Sequence, residues 1–552
     1  MNEKRLKDPI YGYICIPTDI INSIIDSSSF QRLRRITQTS YAPLYSSAVH
    51  NRFVHSLGVY NLGKIAESTL IREIKQKKNA SPVFPLNSEE LDRLGELFLL
   101  ACLLHDVGHA PFSHTGEEFY LEANRGYGEI HSLLTSVVKN DEFANDIPTD
   151  TSKSAAPHEL MSAIVGLKEY PSFFNNNEES SFFARCITGY KYSGKSTENS
   201  IKNCFIQLLN SKVIDVDKLD YLIRDAYITG YNTVEIDYMR LLSSITIVAS
   251  DEGADAGSIC FELAYHKSAI SVIENVVYAH DSERKWIQNH PVILYESYIL
   301  QHVMRMLDEK LGADGKKLFS PASLSAEGQE LNNGEIIRLL SDDDIVVLMK
   351  KMYSDNMLIN EFFDRRERRH PLWKSEAEYK AFFLDISSSG KVIDNLEQSM
   401  KETAEYLSKN TDNWVINDVL AAKIEDELKS LSNMELDGKT EQTQRKNKGN
   451  ILKVITVLID YAKDVGYTGD FVLIKASQFN SGFLKPDFSE TKIVFPTQNG
   501  EKTILFGDKV SSISGIGRDR DDFFYLFYKR QANPDVTFDI DTLCRNLIRT
   551  FV

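Results

Sequence analysis

The chain has 552 residues, 42% of them hydrophobic, and a formal charge of −16. A single core stops growing at this length, so two or more domains are expected. The acidic balance excludes an extensive nucleic-acid surface, because polyanion affinity comes largely from phosphate neutralisation by Lys and Arg, but a few cations in a cleft can still hold a nucleotide. No stretch is long and apolar enough to span a bilayer, residues Met1 to Pro9 do not read as a signal peptide, and six scattered cysteines without CxxC spacing point to free thiols in a reducing cytoplasm.

Residues 20 to 345 read mostly as helices broken by short Gly, Pro and Asn turns. His55 lies in His50-Asn51-Arg52-Phe53-Val54-His55-Ser56-Leu57-Gly58, which opens a helical pattern with Phe53, Leu57, Tyr60 and Ile65 on its apolar face. Leu91 to Leu104 begins amphipathic and becomes apolar all round from Leu97, as expected of a central helix that delivers His105 and Asp106 into a core. Adjacent side chains on a helix diverge, so a His-Asp pair that serves one site must sit at a helix end. Imidazole and carboxylate together suit Mn, Fe, Zn or Mg. Stretches 140–157, 175–181 and 191–200 are polar and expected as loops. In 215–225, Asp217, Tyr221, Arg224 and Asp225 share one helix face, a polar stripe suited to a charged ligand or to solvent. His55, His105, Asp106 and Asp217 form the spaced set that a metal needs.

Charged helical stretches run from 376 to 431, and 437–450 is polar and expected to be mobile. Phe471 to Ile474, Lys492 to Phe495, Thr503 to Phe506 and Phe523 to Tyr528 read as strands, with a hairpin turn at Thr497-Gln498-Asn499-Gly500. The expected fold is mainly α, a helical core followed by a smaller C-terminal α+β module.

These segments resemble the HD-domain phosphohydrolases, in their deoxynucleoside triphosphate triphosphohydrolase branch. The likeness covers Asp8-Pro9-Ile10-Tyr11-Gly12-Tyr13, Phe30 to Gln38, His50 to Gly58, His105 to His114 and Asp215 to Asp225, within roughly the first 300 residues. It implies an HD-type domain over 1–345, with 346–552 serving oligomerisation or regulation. His55, His105, Asp106 and Asp217 are then ligands of a divalent ion (Mg, Mn, Fe or Zn), and Asp106 also counts among the catalytic groups. The loop Gly108 to His114 brings His109 and His114 to the phosphates, with His114 as general acid for the leaving 5′-oxygen. His158, in His158-Glu159, fits a further family histidine better than His131 does. Arg52, Lys218 and Tyr221 correspond to phosphate contacts, and Gln38 and Asp225 to groups near the sugar 3′-hydroxyl.

Two positions depart from the family pattern. Thr39 stands where the family has leucine, and Gln288 where it has a tyrosine against the sugar, with Trp286 or Ile287 able to fill that space. Weaker rejection of a ribose is the consequence. The basic run Arg365 to Lys374 resembles an element near subunit contacts and a regulatory nucleotide, the alternative being a salt-bridged surface helix. The implied activity is hydrolysis of (deoxy)nucleoside triphosphates to nucleoside and inorganic triphosphate by a homo-oligomer responsive to an allosteric nucleotide. Alternatives are a phosphodiesterase or nuclease using the same metal site, or a nucleotide-sensing scaffold.

Overall fold

Helices form most of the described structure and pack against one another within each unit, accompanied by small sheets. The computed structural model describes all residues except 1, 81–85, 124–125, 213, 251–258, 313–316, 384–389, 432–437, 477–489, 498–499 and 509–522. The chain divides into two units, each assembled from non-consecutive stretches. The first takes Met1–Glu283, Leu307–Val346 and Asn480–Gly517, and the second Arg284–Met306, Val347–Phe479 and Arg518–Val552. Among the described residues no helix is long and apolar enough to cross a membrane.

The first unit opens with an antiparallel hairpin of β1 (Glu3–Asp8) and β2 (Gly12–Pro17), in register from Glu3 opposite Pro17 to Asp8 opposite Gly12. Helices α1 (Arg52–Ala80) and α2 (Ser88–Leu104) pack together. Asn87 and Glu90 form a reciprocal capping box that starts α2, and its last turns bury Leu97, Phe98 and Leu100 to Leu104. Behind them lie α3 (Pro157–Glu169), α4 (Asn177–Thr188), α5 (Thr197–Leu209) and α6 (Val216–Thr229). Asp215 caps α6 by accepting the Lys218 N–H.

Strands β3 (Ile245–Ser250) and β4 (Cys260–His266) pair antiparallel. The hairpin Lys492–Thr497 and Gly500–Leu505 joins them, with Lys492–Thr497 parallel to β4. This hairpin therefore belongs to the first unit, because Val494 is buried in a cluster with Val248 and Ala264. The expected turn residues Gln498 and Asn499 lie outside the described residues.

The second unit combines helices such as Gly390–Lys409, Asp418–Leu431 and Gly438–Asp464 with a three-stranded antiparallel sheet. Phe523–Tyr528 is the central strand, between His370–Pro371 and Phe471–Ala476. Trp373 is fully buried and donates its indole N–H to Phe524 O at 2.7 Å.

Three expected loops are shorter than their composition suggests. Asn140 accepts the Phe143 N–H and starts a short helix, Asp141–Asp146, that buries the Phe143 ring. Asn176 and Ser196 cap α4 and α5 inside the stretches expected as loops. The segment 438–450, expected to be mobile, is the first part of a continuous helix whose later turns bury Ile451, Val454, Ile455 and Leu458.

One buried carboxylate ties two loops of the first unit together. Asp342 accepts the Thr37 N–H at 2.8 Å, the Thr37 hydroxyl at 2.7 Å and the Phe112 N–H at 2.6 Å. Burial pushes its pKa up to about 6. The folded value exceeds the unfolded one near 3.9, so the group's stabilising contribution is present below the unfolded pKa and is lost as pH rises through about 6. Denaturant unfolding of wild type and Asp342→Asn across this window is expected to show the wild type losing up to about 3 kcal/mol relative to the variant. A pH-independent difference would contradict the assignment.

Candidate active site

α2 ends at Leu104, and His105 and Asp106 occupy the turn that follows. His105 Nδ1 donates to Cys102 O at 2.9 Å, and His55 Nδ1 donates to Asp220 Oδ2 at 2.7 Å. Each bond turns the opposite nitrogen inward, and the two Nε2 atoms stand 3.2 Å apart. Asp217 Oδ1 lies 3.0 Å from His55 Nε2 and 3.7 Å from His105 Nε2. Asp106 approaches the same two nitrogens at 3.6 and 3.4 Å. Two imidazoles and two carboxylates thus converge their lone pairs, a set that only positive charge satisfies. Burial opposes charge on His55, yet Asp217, Asp220 and Asp106 push its pKa up to about 10. Burial likewise opposes ionisation of Asp106, but Arg52, His105 and His55 hold its carboxyl at about 2. The donor set fits a divalent ion. His55, His105 and Asp217 each place one ligand atom within 4.8 Å of the others.

Asp220 was assigned no role by the sequence reading, although its spacing of three from Asp217 and four from Arg224 sets it beside them on α6. It is fully buried, accepts the Tyr11 hydroxyl at 2.7 Å, and receives Arg224 at 2.9 and 3.0 Å. Arg224 also reaches Asp8 at 3.0 Å. Arg224, expected on a stripe facing a charged ligand, is therefore spent inside the protein. Gly58 on α1 is required by this packing, because a Cβ there would lie 1.9 Å from Asp220 Oδ1.

A second group of side chains lies beside the first. The turn at Gly108 approaches α3 so closely that a Cβ would meet the backbone of Met161 and Ser162 at 2.3 Å. The Gly108 N–H donates to Ser162 Oγ at 2.9 Å, and the same approach brings His158 onto His109, ring centroids 4.3 Å apart. Glu117 accepts from His114 Nδ1 and stands 2.9 Å from His158 Nδ1. Burial works against charge on both, but their mutual attraction pushes His158 up to about 9 and holds Glu117 well below the usual carboxylate range. Burial, with Arg52 and the neighbouring imidazoles, depresses His109 well below the usual histidine value. His114 is exposed over 69% of its side chain. Glu117 was missed by the sequence reading, its one signal being the three-residue spacing from His114. His131 lies elsewhere, against Tyr190 at 3.0 Å.

The remaining expected residues differ in how they are engaged. Arg52 is buried and donates to Asp106, Ser113 and Gln38 O, at 2.9, 2.8 and 3.2 Å. Lys218 Nζ donates to Ser211 O and Asp215, both at 2.6 Å. Tyr221 is half-buried one turn beyond Asp217. Gln38 is buried with Oε1 unpartnered, as is the hydroxyl of Thr39. Asp225 pairs with His50 Nε2 at 2.6 Å, a histidine that the sequence reading assigned no role. Gln288 belongs to the second unit, at the end of a wide-turn helical segment, Arg284–Gln288. In the basic run, Arg366 pairs with Asp364 at 2.6 Å, Arg368 with Glu296 at 2.7 Å, and Arg369 with Glu361 and Asp470. Arg368 and Arg369 are buried against carboxylates of their own unit, whereas Arg366 keeps most of its side chain exposed.

The inner nitrogens are aimed by their outer bonds, so Asp220 is expected to act on the metal through His55. Asp220→Asn should weaken metal binding roughly 10–100-fold, and His105→Ala should abolish binding at this cluster while far-UV circular dichroism keeps its helical form. Wild-type metal affinity in both variants, measured by equilibrium dialysis, would show that these residues do not form the site.

Residues 52–164 match the model of the HD domain. The uncharacterized protein YwfO of Bacillus subtilis is 32% identical over 242 residues, 44% of this chain and 43% of its own length. A deoxynucleoside triphosphate triphosphohydrolase SAMHD1 of Gallus gallus is 31% identical over 242 residues, 43% of this chain and 36% of its own length. The chain spans about half the length of the curated relatives it matches. A crystal structure of a phosphohydrolase from Bacteroides thetaiotaomicron shares the fold, with TM-score 0.52 and 18% identity over 96% of this chain and 100% of that one. HD domains bind divalent metal ions, and of the converging residues His55 lies near the start of the matched segment, His105 and Asp106 near its middle, and Asp217 on α6 beyond it. By its sequence match over residues 52–164 and by this donor set, the chain contains an HD domain with a candidate divalent-metal site.

Proposed function

We propose that the protein hydrolyses (deoxy)nucleoside triphosphates to nucleoside and inorganic triphosphate. The observation that carries this reading is the adjacency of two chemically different clusters. The electron-rich set of His55, His105, Asp106 and Asp217 abuts a proton-carrying set of His109, His114, Glu117 and His158, with His109 Nε2 3.7 Å from Asp106 Oδ1. A divalent ion held by the first set would supply charge stabilisation at a phosphoryl group. The second set handles the proton.

Glu117, kept ionised by its two histidines, holds His114 Nδ1 and so leaves Nε2 to carry the mobile proton. As water adds to the α-phosphorus and the P–O5′ bond breaks, His114 donates that proton to the departing 5′-oxygen, and the proton the water releases restores it. His158 stays protonated at neutral pH and offsets phosphate charge. His109 stays neutral, able to accept or donate one hydrogen bond without adding charge. Arg52, which donates to Asp106, together with Lys218 and Tyr221 on the turn of α6 that carries Asp217, would supply positive and donor groups that a triphosphate requires. The unpartnered Oε1 of Gln38 and the Asp225 carboxylate accept from the sugar 3′-hydroxyl, and the orphan Thr39 hydroxyl offers a partner to a 2′-hydroxyl. The deoxynucleoside triphosphate triphosphohydrolases among the relatives favour the same substrate class.

Chromatography of the products from a manganese-supplemented dNTP panel tests the reading. Nucleoside plus inorganic triphosphate is expected. Monophosphate release would instead establish phosphodiesterase or nuclease chemistry at the same site. His114→Ala is expected to lower kcat roughly 10²–10⁴-fold with binding at the His55, His105 and Asp217 cluster unchanged.

The sugar contacts generate a separate expectation. Matched NTP and dNTP pairs should both turn over, and Thr39→Leu should raise the preference for the deoxy substrate roughly tenfold, as loss of one buried hydroxyl partner implies. An NTP rate of zero in the wild type would show that the ribose is excluded elsewhere.

A further inference from the structure

The cluster of His109, His114, Glu117 and His158 has a second chemical capacity. Each side chain offers one ligand atom, and the four atoms lie within 4.8 Å of one another. Zinc bonds of 2.0–2.2 Å in a tetrahedron place ligand atoms roughly 3.3 Å apart. Here Glu117 Oε1 is the hub. It stands 2.9 Å from His158 Nδ1 and 3.9 Å from His109 Nε2, and it accepts from His114 Nδ1. Three imidazoles and one carboxylate suit a borderline-soft ion, whereas magnesium and calcium prefer an all-oxygen shell.

An independent observation points the same way. His109 is fully buried, yet neither of its ring nitrogens has a hydrogen-bond partner. Buried polar groups are nearly always satisfied, and leaving one unmade costs desolvation energy. Nε2 of His109 faces Glu117 Oε1 at 3.9 Å and Asp106 Oδ1 at 3.7 Å, too far from either for a hydrogen bond. That spacing is the one expected of donors aimed at a shared cation. The exposed His114 ring provides the route of entry.

We propose that these four residues form a second divalent-metal site, selective for zinc, distinct from the His55, His105 and Asp217 cluster. Zinc bound there occupies His114 and the Glu117 oxygen that holds it, so it stops hydrolysis. This inhibitory consequence rests on the proton-donor role of His114 proposed above, but the site itself does not.

Zinc alone, titrated into metal-free full-length protein by equilibrium dialysis with metal analysis, separates the two sites. Wild type is expected to hold two ions per chain. His105→Ala with Asp217→Ala should hold one, and Glu117→Gln one. His158→Phe, which keeps the stack on His109, is the second variant, and circular dichroism verifies the fold of each. Cobalt substituted into the His105→Ala, Asp217→Ala protein should give the d–d absorption of a tetrahedral site. One zinc in the wild type and none in the His105→Ala, Asp217→Ala protein would overturn the proposal, as would two zinc ions retained in Glu117→Gln and His158→Phe. Failure to hydrolyse any nucleotide would leave the zinc counts unchanged, so the two readings fail separately.

Discussion

Asp220 is placed to touch no reacting group, yet the metal-binding end of the first unit is built around its carboxylate. It accepts from His55 on α1, from Tyr11 of the N-terminal hairpin and from Arg224 one turn along α6. Arg224 in turn holds Asp8 at the end of β1. Three segments are thus drawn onto one fully buried group whose charge would be prohibitive without them. Removing one partner of such a buried pair costs roughly 3–5 kcal/mol. Gly58 shows how tightly the arrangement is packed, since any side chain there would collide with Asp220. The hairpin is therefore part of the support for His55.

The charge pattern follows from this support. Asp220 fixes the His55 ring with Nδ1 outward, Cys102 O does the same for His105, and both inner nitrogens meet carboxylates. Next to this acidic pole, Glu117 sits among three imidazoles and turns the balance over, raising His158 while His109 is kept neutral by burial. Asp106 lies between the two poles. One oxygen is held by Arg52 at 2.9 Å and the other faces both His105 and His109. A short distance along one loop therefore separates a region that attracts cations from one that stores protons, which is the division of labour that phosphoester hydrolysis asks of a protein.

Rigid placement of that loop comes from backbone contacts more than from its own side chains. Gly108 lies against α3 and donates to Ser162, Arg32 donates to Val107 O and His109 O, and Asp342 holds Phe112 N–H. Ser113 links Arg52 to Thr37 O. The loop carrying His109 and His114 is consequently held from several directions, and the turn carrying Gln38 is tied to the same clamp through Thr37. Pre-organisation of this kind lets a site act without ordering itself during the reaction.

Helical periodicity, the helix end at His105-Asp106 and the strands near the C-terminus were legible in the amino-acid order alone, because each depends on residues within a few positions of one another. The same locality exposed the candidate donors His55, His105, Asp106 and Asp217. Capping by Asn140, Asn176 and Ser196 was equally local, and polar composition obscured it. Other features had no local signature. Asp220 serves a histidine 165 residues away and Asp342 a loop 230 residues away, and nothing in their own neighbourhoods distinguishes them from surface acids. Arg224 and Arg369 lay in segments that read either as ligand-facing or as surface faces, and folding placed carboxylates against them. The hairpin at 492–505 was readable as a hairpin, but its edge was matched to β4 by the burial of Val494, a contact no window of sequence contains. Residue order thus determined the elements and the donor types, and tertiary structure decided which donors are satisfied, since burial and charge compensation are properties of distant partners brought together.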